Sequence, residues 1–466
     1  MKGEINVNKD ILMNEDIFEK LPIGKAIAKL AIPTMMGQLS TVVYNMVDTF
    51  FVAKTNNANQ IAAVTLSMPI VLILASIGAL FGMGGGSYVS RLLGLKESNK
   101  IKNTSSFCFW VSVCISVPIL IIGLLSLNQI INITGANIYN FTFTKEYLMV
   151  IFIGAPWIIL SNMLIQIIRS EGNAKDASLG LIIGMVINCV LNPALILGMG
   201  WGVVGSAIAT ITGNVINVLY YFVFFYRGKT ILSISASHLK KDLEVAKNVI
   251  IMGIPAALVP TLISVSNIFL NNLAGQYGSN PVAAIGIVSK VTSISVMLVV
   301  GLCQGVQPLI GYNYSAGNIK RMKNTVNLTV LISFILGIVC LVLFTILKVQ
   351  IINIFIRDSN IISLGSVFLL FMSISLPILG ISNIGMVFFQ AIGKPVQALF
   401  LTVARQGVIY IPLLFVLKNM MNLNGIVLAQ PISDFVTMII TIILYVSFVM
   451  KNKNENENEG VGEAAI

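Results

Sequence analysis

The sequence predicts an all-α integral membrane protein: twelve transmembrane helices in two six-helix lobes, related by a pseudo-twofold axis around a central cleft. Three observations carry that prediction. The 466-residue chain is 56% hydrophobic and only 10% charged, where soluble domains carry roughly 25% charge. Apolar runs of about 20 residues or more recur from end to end, each long enough to cross a ~30 Å hydrocarbon layer. The chain also repeats itself at an offset of about 220 residues. Ile32 and Pro33 are answered by Ile254 and Pro255, Gly82 by Gly301, Pro156 by Pro377, Asn162 by Asn383, Gly172 by Gly393 and Gly205 by Gly425. Paired halves in so apolar a chain point to a transporter whose lobes flank a shared site.

Residues 1–25 come first, polar and mixed in charge, without the apolar core of a cleavable signal. Within them, residues 10–25 alternate apolar and charged positions, the pattern of an interfacial helix. The first lobe, 26–226, holds spans at about 26–53, 61–90, 104–127, 144–168, 177–198 and 203–226. A polar linker, 227–246, follows. The second lobe, 247–449, holds spans at about 247–273, 282–312, 324–347, 362–389, 396–417 and 425–449. Gly and Pro interrupt several spans, as membrane helices tolerate, whereas a β-barrel needs short alternating segments. The tail, 450–466, is low-complexity and polar, a composition that predicts disorder.

The net charge of +11 follows from topology rather than from nucleic-acid binding. If both termini lie inside, 22 of the 29 Lys and Arg fall in or beside inner segments, and five in outer loops. That bias orients the chain with cytoplasmic termini in a cell membrane. Each half begins and ends inside, so the repeats are parallel and their axis runs along the membrane normal. All five cysteines lie in apolar spans and read as small hydrophobes. His238 is the only histidine, which leaves no material for a histidine-based metal or catalytic centre.

Few charges lie deep in the spans. Asp48 sits in span 1, about two turns before its outer end. An ionised Asp at mid-membrane costs about 2.5–3.5 kcal/mol on insertion scales, and less near the interface, so a plain helix-end role is the alternative. Gln38, Thr41, Asn45 and Asp48 form one polar stripe at helical spacing. In span 5, Asn188 and Asn192 stand four apart on one face, and Pro193 frees a carbonyl one turn back. A carboxylate, amide oxygens and a free carbonyl are hard ligands for a small cation such as Na⁺, or the network for a bound proton. Asparagines that merely hydrogen-bond between helices are the competing reading. Gln304, Gln307, Asn267, Tyr44 and some of the 20 methionines are candidates to line the cleft. Arg405 and Asp434, both within spans, are expected to form a structural ion pair. Lys290 is open between snorkelling outward and facing the cleft.

Particular stretches go further: LAIPTMMGQLSTVVYNMVDTFFVA in span 1, GGGSYVSRLLG after span 2, IRSEGNAKDA after span 4 and NCVLNPALILG in span 5. The second half adds QPLIGYNYSAGN, FFQAIGKP and RQGVIYIPLLF. On these the chain resembles the multidrug and toxic compound extrusion family over residues 18–450. The resemblance implies a cation-coupled exporter, of the subgroup with a compact acidic site in the N-terminal lobe. In that subgroup the Asp of the VDT stretch binds the coupling ion, and here it is Asp48. Asn188 and Asn192 match the polar residues that complete the site, and Asn162 and Thr210 match more loosely. The chain departs from many relatives in carrying Asn192 where they carry Asp, and it has no acids in spans 7 and 10. Span 7 shows Ser264, Asn267 and Asn271 instead, and Asp48 has no acidic counterpart in the second half. Coupling is therefore expected in the first lobe alone.

The expected function is exchange of inward Na⁺ or H⁺ for outward organic, often cationic, compounds. Beyond that ion no cofactor is expected, and the partners are the bilayer and small organic substrates around a monomer. A flippase for lipid-linked sugars is the nearest rival, and such proteins usually have more helices and a strongly cationic cleft. A membrane-embedded transferase needs clustered His, Asp or Glu, whereas Glu97, Glu171 and Asp176 are scattered over loops.

Overall fold

A computed structural model describes residues 16–228 and 230–463, with side chains through Lys451. Among the described residues there are helices and connecting turns but no strand. In a bilayer every backbone polar group must be satisfied within its own segment, and a helix does this. The helices are α1 (Ile23–Ala53), α2 (Ala58–Gly94), α3 (Ser98–Leu125), α4 (Phe141–Ile153), α5 (Ala155–Ser170), α6 (Ala174–Asn192) and α7 (Gly202–Tyr226). Past the linker come α8 (Leu243–Gly275), α9 (Ser279–Ser315), α10 (Ile319–Phe355), α11 (Ser359–Ser373), α12 (Leu376–Ala391), α13 (Pro395–Val403) and α14 (Tyr410–Glu463).

Nine helical runs among the described residues are long and apolar enough to cross a membrane. Two bent pairs, α4 with α5 (54°) and α11 with α12 (47°), qualify as single broken spans. The longest run, Pro395–Lys451, has 57 residues, or about 85 Å of helix, far more than one crossing needs. It turns at Asn422, whose φ of 52° and ψ of −131° are not helical, and Asn tolerates positive φ better than most residues. Divided there, the run supplies two crossings, which brings the number to the twelve expected from the sequence. The chain is an integral membrane protein.

Two compact units form. The first comprises Met1–Ser264, Val300–Thr329 and Gln390–Pro395, and the second Val265–Val299, Val330–Phe389 and Val396–Ile466. They do not follow the sequence repeat, because the first unit takes in pieces of the second half. Within the first unit, α2 packs on α5, α1 on α6, and α6 on α7. Small residues permit this closeness. A Cβ at Gly82 would lie 2.9 Å from Met163 Cα, so α2 and α5 touch backbone to backbone. A second glycine seam joins α9 to α1, where Cβ atoms at Gly301 and Gly305 would each lie 2.6 Å from a Cα, of Met35 and Ala31 respectively. In the second unit, Leu270, Val288, Phe368, Leu414 and Ile426 belong to one apolar core.

Two segments differ from expectation. Residues 10–15 lie outside the described residues, but 16–22 dock on protein rather than on a membrane surface. Ile17 and Phe18 are buried, and Phe18 stacks on Tyr312 with centroids 4.9 Å apart. Arg321 donates to the Phe18 and Leu21 carbonyls, each at 2.6 Å, so its guanidinium replaces the water an interfacial segment would use. At the other end α14 continues to Glu463, into the tail whose composition predicts disorder. A helix already nucleated by a span extends at low cost per residue.

Candidate functional site

Asp48 lies near the end of α1 and is 5% exposed. Ser206 of α7 donates its hydroxyl to Asp48 Oδ1 at 2.6 Å, and the Asn192 side chain faces the same carboxylate. Asn192 Nδ2 in turn donates to Asn188 Oδ1 at 2.9 Å. One turn earlier on α1, Tyr44 shares a 2.9 Å hydrogen bond with Thr210 of α7. Tyr147 of α4 lies beside Ser206 and Asp48. Three helices and the start of a fourth thus converge on one carboxylate.

Local sequence explains the convergence. Asn188 and Asn192 fall on one face of α6, which then runs into Pro193 and a wider π turn over Pro193–Gly198. The Met199 N–H reaches back five residues to the Ala194 carbonyl. Ser206 and Thr210 are likewise four apart, on the face of α7 turned towards α1.

No Lys or Arg pairs with Asp48 among the described residues. A carboxylate buried without a cation is costly, so the site favours taking up a proton or a metal cation. Asn192 Oδ1 and Asn188 Nδ2 are both buried without a hydrogen-bond partner. The first is a free hard acceptor next to the carboxylate, and with the hydroxyls of Ser206 and Thr210 it makes an oxygen-rich set that fits Na⁺.

A sequence profile of the MatE family matches residues 33–194 and 255–416, one copy in each half of the chain. The chain belongs to the MatE family. The multidrug export protein MepA of Staphylococcus saprophyticus is 32% identical over 431 residues, covering 92% of this chain and 95% of its own. MepA of Staphylococcus aureus is 31% identical over 417 residues, covering 90% and 92%. Among solved structures, a MATE protein in complex with MaL6 superposes with a TM-score of 0.90 at 23% identity, covering 94% of this chain and 99% of that one. An outward-facing MATE family transporter superposes at 0.89 with 24% identity, covering 93% and 98%. At such identity these structures speak for the fold. MatE proteins are transporters, not enzymes.

Ser206 and Tyr147 are the residues of the Asp48 cluster that sequence reasoning missed. Ser206 had a signal, its place one turn before Thr210. Tyr147 had none. Asn162 is not drawn into the cluster. It donates to the Ile158 carbonyl of its own helix at 2.9 Å, and its Cβ is 2.8 Å from where a Cβ of Gly78 would stand. Asn45, Asn267 and Asn271 are exposed, as is Lys290.

The glutamines gather elsewhere. Gln38 Nε2 donates to Gln304 Oε1 at 2.8 Å, and Gln304 Oε1 also accepts from Arg169 Nη1 at 3.0 Å. Gln307 Nε2 reaches Gln390 Oε1 at 3.4 Å. Gln304 and Gln307, candidates from sequence to line the cleft, line a polar cavity in the first unit, and Gln38 of the span 1 stripe is hydrogen-bonded to Gln304. In the second unit Arg405 Nε donates to Asp434 Oδ1 at 2.8 Å, and Gln430 Nε2 donates to the same oxygen at 3.1 Å.

Glu171, which sequence reading passed over as a loop acid, is 3% exposed. It holds the linker to the end of α5, accepting from Asn173 Nδ2 at 2.6 Å, Thr230 Oγ1 at 2.7 Å and the Ile231 N–H at 3.2 Å. Burial pushes its carboxyl from 4.5 up to about 7 against the pull of those donors, and Asp176 adds to the rise. The folded state therefore favours the protonated acid. Its support is complete below pH 4.5, fades as pH rises, and is gone above about 7. The loss is on the order of 3 kcal/mol at most. Melting temperatures of the purified protein between pH 5.5 and 8.5 are expected to fall with pH, and Glu171→Gln to flatten that slope.

Proposed function

We propose that this chain is a secondary active exporter of small organic compounds, often cationic, driven by inward Na⁺ or H⁺ held at Asp48. Support comes from full-length similarity to proteins named multidrug export proteins. The observation that carries the coupling site is a buried, unpaired Asp48 beside the unpartnered Asn192 Oδ1. The distribution of Lys and Arg supports cytoplasmic termini and a plasma-membrane location.

The cycle follows from charge. With Asp48 ionised and empty, α1 holds a carboxylate away from water at an energetic cost. Uptake of Na⁺ or a proton removes that cost and alters how α1 packs on α6 and α7. α1 contains Pro33, which deletes one helical hydrogen bond and gives the helix a place to bend. Repacking α1 reshapes the substrate site and favours release outside, and loss of the ion inside resets it. A cation that binds both states equally would drive nothing, so the difference in Asp48 surroundings between states is the motor.

Purified protein in lipid vesicles loaded with a fluorescent organic cation tests this, with Na⁺ and pH gradients imposed separately. One of the two gradients is expected to drive transport. Movement under neither, or under both equally with Asp48 removed, would overturn the assignment.

A further inference from the structure

The network around Arg169 has no part in the ion site. Arg169 is 2% exposed and keeps its guanidinium charge, yet no carboxylate pairs with it among the described residues. Its Nη1 donates to Gln166 Oε1 at 2.9 Å and Gln304 Oε1 at 3.0 Å, and its Nε is buried without a partner. A buried cation that meets only neutral dipoles is costly, and folded proteins compensate such charges with a counter-ion.

Arg169 lines a cavity of about 10 Å³ together with Ser87, Ser90, Gln166, Gln304 and Gln307, room for about one water-sized particle. The hydrogen-bond inventory fixes its chemistry. Both acceptor oxygens of Gln166 and Gln304 are taken by Arg169, and Gln304 also receives Gln38. That leaves two amide nitrogens as donors without a protein partner among the described residues. Ser87 and Ser90 spend their protons on the Gln390 and Gly86 carbonyls. Gln307 gives its nitrogen to Gln390, so its oxygen has no protein partner among the described residues. Three donors without a partner and a full positive charge thus face acceptors that are all neutral: the Gln307 oxygen, the second lone pair of Gln166 Oε1 and the Ser87 and Ser90 hydroxyl oxygens.

We propose that this cavity binds one small monovalent anion, chloride in the cell, against the Arg169 guanidinium. Its lining comes from α2, α5 and α9, and Gln38 of α1 orients one of its amides. The bound ion therefore stabilises the packing of α9 on α1 and α2, since a ligand favours whichever arrangement forms its site. A volume of about one water-sized particle is closer to a halide than to sulfate or gluconate.

Melting temperatures of the detergent-purified full-length protein decide the matter, in N-methylglucamine salts at one pH and ionic strength, without Na⁺. Chloride and bromide are expected to give a saturating rise that gluconate and sulfate do not, and Arg169→Gln to abolish it. A bromide-soaked crystal should show an anomalous peak against Arg169. Equal melting in chloride and gluconate, the same response to all four anions, or no bromide at Arg169 would each overturn the proposal. If Arg169→Gln fails to fold, the wild-type anion series and the bromide peak still decide it.

Discussion

Replacing Asp48 with asparagine is expected to abolish ion-driven efflux in loaded vesicles, down to the level of vesicles without protein. Membrane abundance should be unchanged. The amide keeps the shape of the side chain and can still meet the Ser206 hydroxyl, which now sits 2.6 Å from Oδ1. What it removes is the only charge in the cluster, and with it the reason for a cation or proton to bind. Stability is expected to move the other way, because a neutral group in a dry site costs less than an ionised one. The purified wild type should gain thermal stability from the coupling cation and the variant should not, while at lower pH the variant should keep only the gain that belongs to Glu171. Undiminished efflux by Asp48→Asn would place coupling elsewhere.

The second large effect belongs to the other unit. Asp434→Ala leaves the Arg405 guanidinium, held by a 2.8 Å hydrogen bond with side chains 13% and 2% exposed, without its counter-charge. Breaking such a pair from one side costs on the order of 3–5 kcal/mol. Replacing both, as Arg405→Met with Asp434→Leu, removes the uncompensated charge and should recover most of that loss. A double-mutant cycle on melting temperature is expected to show strong coupling between the two positions. Additive losses would mean that the pair contributes nothing beyond its separate packing. Ion-driven efflux by the double variant should persist, because neither residue touches Asp48.

Apolar length and repeat spacing make the scaffold legible, because a bilayer permits a chain so few solutions. Asp48, Asn188 and Asn192 stand out for the same reason: polar groups are rare there and helical spacing sets them on shared faces. Legibility fails where a contact depends on helices distant in sequence. Ser206 meets Asp48 across 158 positions, and its one signal, a place one turn before Thr210, is weak where serines in membrane helices are common. Gln38 lies on the same stripe as Asp48, and periodicity alone says only that the two share a face. Its partner Gln304 lies 266 residues away and draws it into a different network. Glu171 read as one of several scattered loop acids because its burial comes from the linker folding back onto it.

The glycine seam between α9 and α1 bears on how fast such a protein can turn over. In water, parting two apolar helices exposes them to a hostile solvent, but in a bilayer lipid tails fill the gap with equivalent contacts. Closeness at Gly301 and Gly305 therefore supplies dispersion without a hydrophobic penalty for separation. The seam resembles a well-machined joint rather than a weld. Its grip comes from many shallow contacts and one amide hydrogen bond, Gln38 to Gln304, each weak beside a covalent tie. A larger side chain at either glycine would not merely loosen the joint. It would reset how long each side of the membrane is kept waiting.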